Sequence, residues 1–135
     1  MEQLEPLMVS EDRKEESPRV VFGTVQGDLH DIGKNLCILL LRSQGISVLD
    51  LGVDVAPEAF VEAVKRHHPA YVCMSSLLTT TMDGFARTLE ALRQAGLRDS
   101  VKVAVGGAPV TPEFAASIGA DLYTADAVEL SRVLG

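Results

Sequence analysis

From residue 19 onward the chain alternates two hydrophobic patterns. Short, mostly apolar runs have the length and β-branched content of strands: Val20-Val21-Phe22, Ser47-Val48-Leu49-Asp50-Leu51, Ala70-Tyr71-Val72-Cys73-Met74, Val101-Lys102-Val103-Ala104-Val105 and Asp121-Leu122-Tyr123. Each is followed by a segment with helical spacing. Asp31 to Ser43 carries Ile32, Leu36, Leu39 and Leu40, and Pro57 to Arg66, Thr81 to Ala95, Thr111 to Ile118 and Ala127 to Val133 complete the series. Gly23 to Gly27 punctuate the end of the first strand, and Gly45 stands where a helix C-terminus takes a left-handed residue. Strands that are apolar on both faces belong to parallel sheets covered on both sides. Five of them alternating with five helices predict an α/β fold, a doubly wound five-stranded parallel sheet. Such sheets bind ligands beyond the carboxyl ends of their strands, so the loops after the strands are where chemistry is expected.

The first 18 residues break the pattern. Glu2, Glu5, Glu11, Asp12, Arg13, Lys14, Glu15, Glu16 and Pro18 surround Leu4, Leu7, Met8 and Val9, too little apolar surface to start a core. We expect a tail or linker remnant over residues 1–18 and one domain over 19–135, which 47% hydrophobic residues suffice to fill. A net charge of -7 argues against nucleic acid as a partner. No apolar run approaches the roughly 18 residues a membrane span needs, and the acidic start is unlike a signal peptide, so no membrane partner and a cytoplasmic location are expected. Cys37 and Cys73 lie in apolar surroundings and read as small buried side chains rather than a metal or redox pair.

The loop after the first strand, Gly27-Asp28-Leu29-His30-Asp31-Ile32-Gly33-Lys34-Asn35, sets an imidazole between two carboxylates. A carboxylate two residues before a histidine can take the proton of one ring nitrogen and aim the other at a metal. The plainer reading is that His30 merely begins a helix whose dipole Asp31 serves. A four-ligand zinc site has little support, because His67 and His68 stand before Pro69 at the far end of a helix-to-strand connection. The loop after the third strand carries five hydroxyls, Ser75, Ser76, Thr79, Thr80 and Thr81, of which helix capping explains one. Gly106 and Gly107 leave the end of the fourth strand free of side chains.

Three motifs stand in order: Asp-x-His-x-x-Gly at Asp28, His30 and Gly33; Ser-x-Leu at Ser75 and Leu77; and Gly-Gly at Gly106 and Gly107. With them the chain resembles the cobalamin-binding domain of corrinoid methyltransferase proteins, the group that includes the B12 domain of methionine synthase and the corrinoid carriers of methanol and methylamine systems. The resemblance covers residues 19 to 135, and Gly23 to Asn35, Asp50 to Val55, Leu77 to Met82 and Gly106 to Thr111 look most like the carriers. It implies a flavodoxin-like, Rossmann-like cobalamin-binding fold, with His30 as lower axial ligand to the cobalt of a cobalamin or related corrinoid in place of the cofactor's own base. It also implies a relay His30, Asp28, Thr81. The displaced nucleotide tail would enter a slot lined by Ser75, Thr79, Gly106 and Gly107, with room left by Gly33 and with Tyr123 and Ala127 near its far end. Gly27, Leu29, Asp31, Ile32 and Leu77 would lie against the cofactor.

The activity so implied is carriage of a methyl group on cobalt between partner proteins, a substrate-specific methyltransferase and a methyl-acceptor methyltransferase. Full-length carriers have a helical domain ahead of this one, and Glu2 to Val9 would be its last remnant. Three other readings share part of the pattern: a non-catalytic module for B12 storage or sensing, the small subunit of an adenosylcobalamin-dependent mutase, and a flavodoxin-like domain for another nucleotide. Leu77 to Met82 is more like the methyl carriers than the mutases. No dinucleotide or P-loop fingerprint favours another nucleotide.

Overall fold

The computed structural model describes residues 18–134. The expectation of a tail over residues 1–18 therefore falls, except for Pro18, outside the described residues. Five strands, β1 (Val20–Val25), β2 (Val48–Val55), β3 (Tyr71–Ser75), β4 (Lys102–Gly106) and β5 (Leu122–Tyr123), form one sheet in the order β2-β1-β3-β4-β5. Every pairing is parallel. Five helices connect and follow them: α1 (Ile32–Ser43), α2 (Pro57–His67), α3 (Asp83–Gln94), α4 (Pro112–Ile118) and α5 (Ala127–Leu134).

The apolar strand patterns bury both faces of the sheet. On one face Phe60 and Val64 of α2, Phe85, Leu89 and Leu92 of α3 and Ala115 of α4 pack with Val21, Val25, Val72, Met74, Val103 and Val105. On the other, Ile38 and Leu41 of α1 and Leu130 and Leu134 of α5 pack with Val20, Phe22, Cys73 and Ala104. Each large side chain so buried contributes about 1.5–3 kcal/mol over exposure. Helix α3 comes very close to the sheet at Gly84, where a Cβ would meet that of Val25 at 2.8 Å.

Helix ends follow their local chemistry. Thr111 accepts from the Phe114 N–H at 3.1 Å to cap α4, Pro57 opens α2, and His68 closes α2 in the left-handed region. The expected helix from Thr81 begins later. Thr79–Thr81 form a one-turn 3₁₀ helix, in which the Thr81 N–H donates to the Leu78 carbonyl, and α3 starts at Asp83. Edge strand β2 also runs past its expected end at Leu51. Its eight residues face the six of β1 through register shifts on either side of Gly23. Strand order reverses between β1 and β3, which puts the carboxyl ends of those two strands at the switch point where doubly wound sheets bind ligands.

Candidate functional site

His30 sits on the loop from β1 to α1 with its side chain 51% exposed, while the carboxylate of Asp28 beneath it is 0% exposed. Asp28 Oδ1 accepts from the His30 backbone N–H at 3.0 Å and meets Nδ1 of the ring at 2.8 Å. Oδ2 accepts from the Leu77 N–H at 2.7 Å and from the Thr81 hydroxyl at 3.0 Å. Burial alone would push this carboxyl up. The backbone bonds from His30 and Leu77, then the side-chain bonds from His30 and Thr81, outweigh it and hold the group down at about 2. An ionised acceptor at Nδ1 keeps the proton on that nitrogen and leaves Nε2, with its lone pair, facing outward.

Thr81 has one proton and several oxygen neighbours. Ser76, itself buried, lies 2.8 Å from the Thr81 hydroxyl. Donation from Ser76 to Thr81 and from Thr81 to Asp28 directs both protons toward the carboxylate. On the other side Thr24 donates to the His30 carbonyl at 3.0 Å and meets the Ser75 hydroxyl at 3.0 Å. The expected triad of His30, Asp28 and Thr81 is thus assembled. Thr24 and Ser76 are parts of it that the motifs do not name.

Two cavities open beside this loop. One of about 250 Å³ is lined by Leu29, His30, Asp31, Ile32, Gly33, Lys34, Ser75, Ser76, Leu77 and Gly107. The other, of about 360 Å³, runs between the sheet and helices α1 and α5. Gly33, Ser75, Leu77 and Gly107 line both, so the two meet there. The wall of the deeper cavity follows from strand register. Phe22, Cys73 and Ala104 stand level across β1, β3 and β4, and Thr24, Ser75 and Gly106 stand level two residues further on, facing the same way. The slot is therefore apolar at its floor and hydroxyl-lined at its mouth.

Gly107 is required here. Its φ is +132°, and a Cβ would lie 1.9 Å from the Ser76 carbonyl oxygen. At Gly33 a Cβ would meet nothing within 4 Å and would project into open space at the junction of the cavities.

Most expected site residues lie on these walls, including Gly106, Gly107 and Ala127. Gly27 instead sits behind the loop, its N–H held by Asp54 Oδ1 at 2.7 Å. Two residues are placed elsewhere. Thr79 is exposed in the 3₁₀ turn and lines neither cavity. Tyr123 packs against the α2 and α3 face of the sheet. Side chains alternate along β5, so its neighbour Thr124 reaches the slot instead. Cys37 and Cys73 are free thiols on the slot wall, both pushed up by burial, Cys37 to about 11 with a further contribution from Asp126. Among the described residues no cluster of three or more His, Cys, Asp or Glu could hold a metal, and no helix is long and apolar enough to cross a membrane.

Fold and site define an α/β domain with an exposed, carboxylate-tethered histidine above a deep slot at the switch point. Residues 18–131 match the B12 binding domain family, and the chain belongs to that family. It is 45% identical over 133 residues to trimethylamine corrinoid protein 1 of Methanosarcina acetivorans, covering 96% of this chain and 61% of that protein. Among solved structures it resembles the monomethylamine corrinoid protein of Methanosarcina barkeri, with TM-score 0.83 and 37% identity over 90% of this chain and 58% of that one. It also resembles a chain of the methanol:cobalamin methyltransferase complex of the same organism, with TM-score 0.80 and 34% identity over 85% of this chain and 44% of that one. This chain thus spans about three fifths of the first relative's length.

The cofactor is a cobalamin or related corrinoid, and the residues present fit it. A free Nε2 on an exposed imidazole suits a metal held in a flat ring, and the open space at Gly33 leads from that imidazole into the slot.

Proposed function

We propose that this chain carries a methyl group on the cobalt of its corrinoid between two partner proteins, a substrate-specific methyltransferase and a methyl-acceptor methyltransferase, and that His30 would hold the metal. Residues 19–135 form the cofactor domain in this reading. The observation that carries the ligand assignment is the pairing of a half-exposed His30 with a wholly buried, ionised Asp28 at 2.8 Å. The corrinoid, when bound, supplies the metal that accepts and gives up the methyl group.

The chain's own residues position and tune. Asp28 holds the ring in one tautomer and one orientation, with Nε2 directed away from the carboxylate. Asp28 stays ionised at neutral pH, so its Oδ1 remains an acceptor for the Nδ1 proton. Thr81 and Leu77 hold Oδ2, which fixes the orientation of the Asp28 carboxylate. The slot residues would hold the cofactor's nucleotide tail, Ser75 offering a hydroxyl at the mouth and the floor an apolar surface.

The test is an absorbance spectrum of protein loaded with hydroxocobalamin and freed of excess cofactor, for the wild type and His30→Ala. Retained corrinoid should show a base-off, His-on spectrum in the wild type and a different one in the variant. Identical spectra overturn the ligand assignment. For carriage, protein loaded with methylcobalamin should lose its methyl group when a methylamine-system acceptor methyltransferase and a thiol acceptor are added, and a stable methyl group under those conditions rejects the carrier reading.

A further inference from the structure

The loop that presents His30 is held at both ends by edge strand β2. At its entry, the Asp54 carboxylate accepts from the Gly27 N–H at 2.7 Å, and the Asp54 N–H donates to the Asp28 carbonyl at 2.9 Å. At its exit, the Lys34 ammonium, 3% exposed, reaches Asp50 at 2.9 Å and 3.1 Å and Asn35 at 2.6 Å. The Gly52 N–H also donates to Asp50 at 2.8 Å. Between the two aspartates β2 departs from regular pairing with β1, and Gly52 and Asp54 both take positive φ, +95° and 54°.

These features share one physical account. Extra residues bend a strand and re-aim its side chains. Asp54 accepts a left-handed backbone that most residues avoid, and in doing so turns both a donor and an acceptor toward the loop. A lysine buried to this degree needs a paired charge, and Asp50 supplies one from the neighbouring strand. Hydrophobic packing accounts for none of these three costs.

We propose that Asp50 and Asp54 are positioning residues for His30. They fix the two ends of the loop over residues 27–34, and thereby the height and direction of Nε2 above the slot. The inference rests on the reading of His30 as the cobalt ligand. Removing either tether lets the loop relax, and the population in which His30 is off the metal grows.

The experiment compares wild type, Asp50→Asn, Asp54→Gly, Asp54→Asn and His30→Ala. Difference spectra are recorded at saturating hydroxocobalamin, so that weaker retention does not erase the signal, and circular dichroism follows the fold. Asp54→Gly tolerates the positive φ but loses the acceptor, whereas Asp54→Asn keeps both. The ratio of His-off to His-on should rise roughly threefold to tenfold in Asp50→Asn and Asp54→Gly, as expected for one lost tether, and stay within about twofold of wild type in Asp54→Asn. Wild-type ratios in both folded tether variants overturn the proposal, as does a rise in Asp54→Asn equal to that in Asp54→Gly. A wild-type spectrum unaffected by His30→Ala instead overturns the underlying ligand assignment, whatever the tether variants show.

Discussion

The backbone N–H of Leu77 donates to Asp28 Oδ2 at 2.7 Å across 49 residues of sequence. This bond joins the loop after β3 to the loop after β1, so the carboxylate that orients His30 is itself held by the neighbouring strand's loop. Replacing Asp28 by Asn puts an amide where four donors converge and removes the charge they solvate. With the carboxyl lowered from 3.8 to about 2, its ionisation stabilises the fold by about 2 kcal/mol. A depressed carboxyl contributes above its unfolded value and loses that contribution as pH falls through the folded one. Asp28→Asn should therefore lower unfolding free energy at neutral pH, and the gap to wild type should narrow between pH 3.8 and about 2. Denaturant titrations across that range check it, and a gap independent of pH would contradict the assignment.

Thr81 supplies one donor to the same oxygen. Thr81→Val should cost about 1–2 kcal/mol in thermal or denaturant unfolding, because a buried acceptor loses a partner, while Thr81→Ser should stay near wild type. A loss in Thr81→Ser with Thr81→Val near wild type would trace the effect instead to the methyl group, which lies 3.3 Å from where a Gly27 Cβ would be.

Gly33 and Gly107 separate stability from binding. Gly107→Ala forces a Cβ to 1.9 Å from a carbonyl oxygen at φ +132°, and should destabilise the apoprotein by ~3 kcal/mol or more. Gly33→Ala has free space and lies in a helix, so the apoprotein should gain ~0.5–1 kcal/mol. The new methyl group projects into the junction of the two cavities, and corrinoid retention should fall all the same. Unfolding curves and equilibrium dialysis on the two variants measure both effects.

The slot can be followed through its thiols. With its thiol pushed up to about 11, Cys37 should alkylate slowly at neutral pH and faster as pH rises, whereas buried Cys73 stays unmodified until the protein unfolds. Loading with hydroxocobalamin should suppress Cys37 modification further, as read by mass spectrometry. Unchanged labelling after loading would mean that the tail does not occupy the slot.

Much of this was legible in the chain. Apolar runs such as Val20-Val21-Phe22 announce central parallel strands, and the spacing of Asp28, His30 and Gly33 singles out the loop at the switch point. What stayed hidden depends on long-range register. Tyr123 and Thr124 cannot be assigned to opposite faces until β5 is paired with β4, which places Tyr123 opposite Val105. A lysine in a helix reads as a solvated charge, and nothing near Lys34 in sequence shows that Asp50 waits beside it. The irregular pairing of β2 was equally hidden, because Asp50 to Val55 alternates as an ordinary strand would.

The level pairing of Thr24, Ser75 and Gly106 ties the site to the way the sheet assembles. A strand that slips by one residue turns every side chain to the opposite face. Slippage of β3 against β1 would send the Ser75 hydroxyl away from Thr24 and carry Leu77 off Asp28. A chain with native helices but a misaligned sheet could therefore not hold His30 in place, so the geometry of this loop depends on correct strand registration far from it in sequence.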